Sequence, residues 1–192
     1  MGKNIMKQRC GYSLIALAML TMAGTAAATD LNVNFTANIR ETTCDMKLVG
    51  GSGSDTKQTL TLGSNGQVRI DDVRARNVSA TFKIAMVECP SSLKSLKTTI
   101  QGKKGSYSST GLVNQLIASG GANFSAVEIA RESAPDKPFD INSTVDAKRL
   151  VWTPEEIANK EVQLIATMFE TQANQLTIGD FQTVATFQFT YE

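Results

Sequence analysis

The sequence predicts an all-β domain built as an antiparallel β-sandwich, and three observations carry that expectation. Short segments with a two-residue hydrophobic period recur along the chain. Glycine- and serine-rich breaks separate them. Cys44 and Cys89 form an even pair behind an N-terminal export signal. Many short strands, frequent turns and one cross-link in an exported chain suit two packed sheets.

The export signal comes first. Lys3, Lys7 and Arg9 give a positive start, residues 14–22 are apolar, and residues 23–28 are mostly small. This is the three-part plan of a secretory signal peptide, with cleavage expected between Ala28 and Thr29. The apolar run is too short for a membrane span, which needs about 20 residues. Cys10 precedes that run and leaves with the signal. The remaining pair, Cys44 and Cys89, reads as a disulfide because export leads to an oxidising compartment.

The interior elements follow in order. Residues 50–54 (Gly-Gly-Ser-Gly-Ser) read as a flexible turn, and residues 59–62 as a weak strand. Val78, Ala80, Phe82, Ile84 and Met86 alternate with Ser79, Thr81, Lys83 and Ala85, a strand with one face inward. Residues 96–101 make another strand, residues 102–111 a loop, and Ser119-Gly120-Gly121 a turn. Val127 and Ile129 flank Glu128 in a further strand. Thr153-Pro154-Glu155-Glu156 sets a cap, a first-position proline and an acid at the third position, which predicts one short helix over 154–159. Val162, Leu164, Ala166 and Met168 then mark a strand.

The two ends of the processed chain have the cleanest alternation. Leu31, Val33, Phe35, Ala37 and Ile39 are spaced by polar residues near the N-terminus. Phe181, Thr183, Ala185, Phe187, Phe189 and Tyr191 share one face of a final segment that stops at Glu192, with nothing after it to pair with its far side.

Composition narrows the function. Hydrophobic residues make up 42% and charged residues 19%, so the chain is globular rather than disordered. A net charge of +1 argues against nucleic acid as an obligatory partner. There is no histidine, which removes the commonest general base and metal ligand. Three cysteines without histidine leave no cysteine–histidine zinc site. No catalytic residue, cofactor or metal is expected. The single tryptophan, Trp152, reads as core rather than as a sugar platform.

In its termini the sequence resembles the chaperone–usher pilins, the subunits of type 1-like fimbriae. Such chains have a signal peptide, an alternating extension, then a cysteine, and a second cysteine closing a later strand. They end on a strand with a penultimate tyrosine, here Tyr191, and a glycine fourteen residues from the end, here Gly179. Cys89 stands in Glu88-Cys89-Pro90, after the predicted strand at 78–86. The match departs at Ala37, where glycine is usual, and at residues 166–169, which lack a common arginine and tyrosine.

The resemblance implies an incomplete immunoglobulin-like sandwich lacking its last strand. It divides the chain into a signal peptide (1–28), a donor-strand extension (29–43) and a pilin domain (44–192). It implies Leu31, Val33, Phe35, Ala37 and Ile39 as the donor strand. The acceptor groove and chaperone-contacting strand would comprise Gly179, Phe181, Thr183, Ala185, Phe187, Phe189, Tyr191 and Glu192. The implied partners are a periplasmic pilus chaperone, an outer-membrane usher and neighbouring pilin subunits, and the implied location is the fimbrium at the bacterial surface. The rival is an exported β-sandwich that binds a ligand alone, without polymerising.

Overall fold

The structure, a computed structural model, describes residues 44–192. In chain order its elements are β1 (Asp45–Val49), β2 (Ser52–Ser54), β3 (Lys57–Thr59), α1 (Ile70–Arg74), β4 (Val78–Glu88), β5 (Leu96–Gly102), β6 (Leu112–Val113), β7 (Ser125–Arg131), β8 (Leu150–Val151), α2 (Pro154–Asn159), β9 (Glu161–Glu170) and β10 (Ala185–Tyr191). One sheet has the order β1-β4-β9-β7-β6, a second β10-β5-β8, and β2 pairs with β3 alone. All pairings are antiparallel.

The two larger sheets face each other across one core. Ile84, Leu164 and Ile129 come from the five-stranded sheet, and Leu96, Ile100 and Leu150 from the other. The predicted alternation of β4 and β9 holds because their registers match. Ile84 lies opposite Val162, and Val78 opposite Met168, so apolar residues of both strands share the inner face. Trp152 is buried, with its indole N–H donating to Thr98 Oγ1 at 3.0 Å.

The Cys44–Cys89 disulfide is present and closes a separation of 45 residues. It joins the start of β1 to the end of β4, where Asp45 already pairs with Glu88. Constraining a loop of that length in the unfolded chain is worth roughly 3–4 kcal/mol. Helix α2 forms as its capping box requires: Glu156 N–H donates to Thr153 Oγ1 (3.1 Å), and Thr153 N–H donates to the Glu156 carboxylate (2.8 Å).

Four expectations need correcting. Residues 50–54 are no flexible turn; Ser52–Ser54 is strand β2, and its glycines let it lie flat against β3. A Cβ at Gly51 would stand 2.6 Å from the Thr59 carbonyl oxygen. The strand expected at 59–62 instead spans Lys57–Thr59 and stops, because Leu60 and Leu62 turn in to pack against the core. A second helix, α1, exists besides α2; Asp71 and Asp72 suit its N-terminal dipole and Val73 anchors it, but one buried residue makes no detectable period. The strand expected from Phe181 begins only at Ala185.

Candidate functional site

The last strand is the least complete part of the sandwich. β10 pairs along its whole length with β5, placing Phe187 opposite Ile100 and Tyr191 opposite Leu96. On β9 the inward residues Val162, Leu164, Ala166 and Met168 are all buried. On the final segment Phe181, Thr183, Ala185, Phe187, Phe189 and Tyr191 alternate just as strictly, yet each is only half-buried. A core-facing strand left half-covered means that the two sheets do not close over it.

The uncovered strip has definable walls. Phe187 meets Phe82 of β4, with ring centroids 5.9 Å apart. Met46 and Leu48 of β1 are likewise only partly buried against the core. At one end the strip opens into a cleft of about 490 Å³ whose lining includes Met46, Val87, Phe189 and Tyr191, with Asp45 and Asp55 at its rim. Side chains of this kind take up apolar knobs, and a strand edge supplies backbone donors and acceptors.

Sheet edges elsewhere are short or covered. β8 is two residues long. β6 is also two residues long, and the adjoining backbone is tied down by the C-terminal segment. Gln115 N–H donates to the Gln182 carbonyl (2.8 Å), and Thr183 Oγ1 donates to the Val113 carbonyl (3.0 Å). These bonds explain why the predicted C-terminal strand is split. Residues 182–183 hydrogen-bond at the edge of one sheet before Ala185 joins the other. Among the described residues β10 is an edge strand of seven residues. A long apolar edge is the kind that other proteins blunt.

Polar contacts fix the C-terminal end of β10. Tyr191 donates its hydroxyl proton to the Cys44 carbonyl at 3.3 Å, and burial pushes its pKa up. The Glu192 backbone pairs with Ser95 in both directions, 2.9 Å each, and its side chain accepts from Lys97 Nζ at 2.9 Å. That bond, with a second carboxylate from Asp146 beside it, raises the Lys97 pKa. Gly179, before the strand, has φ +150°, and a Cβ there would stand 2.6 Å from the Ala122 nitrogen. Glycine is therefore required both by conformation and by space.

Sequence reading missed Asn114. It is fully buried, and its amide donates to the carbonyls of Ala122 (2.8 Å) and Asp180 (2.7 Å). Its oxygen accepts from Leu116 and Gln182 N–H, both at 3.0 Å. One asparagine thus sets where the chain enters β10, and a lone asparagine among loop residues carries no period that would reveal it.

The structure places Cys44 and Cys89 together and leaves Phe181, Thr183, Ala185, Phe187, Phe189 and Tyr191 half-buried between exposed neighbours, with Gly179 before them and Glu192 after. The expected donor residues Leu31, Val33, Phe35, Ala37 and Ile39, and the cleavage pair Ala28 and Thr29, lie outside the described residues.

The sequence matches the family described as "Fimbrial protein" over residues 18–192. It is 26% identical over 189 residues to YadM, an uncharacterized fimbrial-like protein of Escherichia coli strain K12, covering 94% of this chain and 97% of that protein. In structure it is similar to the P pilus rod subunit PapA, with a TM-score of 0.51 at 18% identity, covering 84% of this chain and 100% of that one. The chain therefore belongs to the fimbrial protein family, whose members are structural pilus subunits rather than enzymes, and it has the immunoglobulin-like fold of a chaperone–usher pilin.

Proposed function

We propose that the protein is assembled into an adhesive surface pilus by borrowing a β-strand beside β10 and lending its own N-terminal segment to a neighbour. One observation carries this reading: β10 is a long edge strand whose core-facing aromatic residues are only half-covered. Strand addition at such an edge satisfies backbone groups and buries the exposed face together. The similarity to PapA, a pilus rod subunit, supports the same reading.

In this scheme residues 1–28 direct export and are removed between Ala28 and Thr29. Residues 29–43 form the extension, and residues 44–192 the body that accepts a strand. A periplasmic chaperone first fills the groove, as chaperones do for pilins in donor-strand complementation. An outer-membrane usher then exchanges that strand for the extension of the next subunit, and the fibre emerges on the cell surface.

Leu31, Val33, Phe35 and Ile39 are the knobs. Burying four such side chains contributes roughly 6–12 kcal/mol before the cost of ordering the extension. Ala37 sits where the groove is shallow. Gly179, Phe181, Thr183, Ala185, Phe187, Phe189, Tyr191 and Glu192 form the receiving side.

The test adds a synthetic peptide of residues 29–40 to protein lacking residues 1–40, refolded from denaturant, and follows thermal unfolding. A saturable rise in Tm with the peptide, absent with a scrambled peptide, is expected. An unchanged Tm at saturating peptide contradicts strand addition.

A further inference from the structure

The β2–β3 hairpin has no evident role in the core. Ser52, Gly53, Ser54, Lys57 and Thr59 are exposed, and only Gln58 is half-buried. Its contacts instead converge on one backbone position of β1. Leu48 N–H donates to the Asp55 carbonyl at 2.7 Å, and the Leu48 carbonyl accepts from Gln58 Nε2 at 2.7 Å. Gln58 is held in turn by Gly51 N–H, which donates to its side-chain oxygen at 2.9 Å. Lys47 and Asp55 add an exposed ion pair at 3.1 Å.

Glycines allow close backbone approach within the hairpin and where β1 leads into it. A Cβ at Gly53 (φ +132°) would overlap the Lys57 carbonyl oxygen, and one at Gly50 (φ +123°) would lie 2.9 Å from Phe82 Cα. Phe82 is the residue that touches Phe187 across the groove. The hairpin tip also reaches the end of the groove, where Asp55 and Thr56 line the same cleft as Phe189 and Tyr191.

Among the described residues β1 and β10 are end strands of their respective sheets, and both border the cleft. An incoming strand therefore meets two candidate edges. Adding to β1 requires the N–H and C=O of alternate residues along a five-residue strand. With both groups of Leu48 already engaged, that run is interrupted near its middle.

We propose that the β2–β3 hairpin masks the β1 edge through Leu48, so that a β-strand from a second copy of this chain pairs with β10 alone. This inference rests on the strand-borrowing function above and adds the edge choice to it. The mask suppresses a wrong pairing rather than strengthening the right one.

Hydrogen-exchange mass spectrometry tests it on the chain lacking residues 1–40, refolded with and without the 29–40 peptide. Three forms are compared: wild type, Gln58→Ala, and Gln58→Ala with Gly53→Val. In wild type the peptide is expected to slow exchange in residues 185–192 at least tenfold. Residues 45–60 should slow no more than β7 and β9 do. In the variants the peptide should additionally slow residues 45–49. Equal peptide protection of both edges in wild type overturns the mask, as does a wild-type pattern in Gln58→Ala. Should the double variant not fold, wild type and Gln58→Ala decide the question. A peptide that protects neither edge in any form overturns strand borrowing itself, and the mask with it.

Discussion

The Tyr191 hydroxyl donates to the Cys44 carbonyl at 3.3 Å, so the last strand is tied to the first at the residue that also bears the disulfide. This contact lies in the wall of the cleft at the end of the groove. It links the two sheets without filling the space between β1 and β10. Tyr191→Phe keeps the ring and removes the bond. We expect a loss of about 0.5–1.5 kcal/mol in the denaturant stability of peptide-filled protein. Unchanged stability would show that the hydroxyl bond contributes nothing there.

Cys44→Ser opens the 45-residue loop between β1 and β4. The expected cost is roughly 3–4 kcal/mol, a large share of the stability of a domain of this size. The yield of folded mature protein from the periplasm should fall several-fold. Thiol labelling with mass detection provides the control, since wild-type protein should show no reactive thiol at either position.

Asn114→Asp tests the entry to β10. A carboxylate accepts but cannot donate, so the carbonyls of Ala122 and Asp180 lose the bonds that the Asn114 amide gives them. We expect destabilisation of about 2–4 kcal/mol, with exchange of the Gln182 amide accelerated. Asn114→Ala should behave alike. Unchanged stability in Asn114→Asp would mean that the other bonds of residues 180–183 and Gly179 suffice to position the segment before β10.

Acid sensitivity follows from the charged cluster at α2. Burial pushes the Glu156 pKa up, but bonds from Arg131 and Thr153 outweigh it and hold the carboxyl below its ordinary value. Arg131 Nε and Nη2 reach the two carboxylate oxygens at 2.7 and 3.0 Å. A depressed folded pKa contributes stability that is fully present above the ordinary carboxylate value of 4.5. That stability is lost as pH falls from there through the folded value. Glu170, held down mainly by the Leu176 N–H, acts in the same direction. Glu156→Gln should lower stability at pH 7 by about 1–2 kcal/mol and flatten the acid limb of a stability–pH curve. An acid limb of the same slope in the variant would remove this pair from the explanation.

Much of the fold is legible because two-residue alternation and one-sided burial coincide in β4 and β9. The capping box marked α2 for an equally local reason. The hairpin at 52–59 was not legible, since its glycines serve close backbone approach and look the same in sequence as a flexible turn. The groove is harder still. Phe187 and Phe189 read as inward-facing whether or not another strand covers them, and only the half-burial seen in three dimensions separates the two cases. Asn114 was invisible because two of its four bonds reach Asp180 and Gln182, far away in sequence.

The strongest single check is the size of purified mature protein on an unheated detergent gel, beside the same protein lacking residues 29–40. Intact protein should form a ladder of multimers that collapses to one band on boiling, and the truncated form should give none. A single monomer band from intact protein that stays soluble in solution, with residues 31–39 folded into its own groove, would contradict strand sharing between subunits.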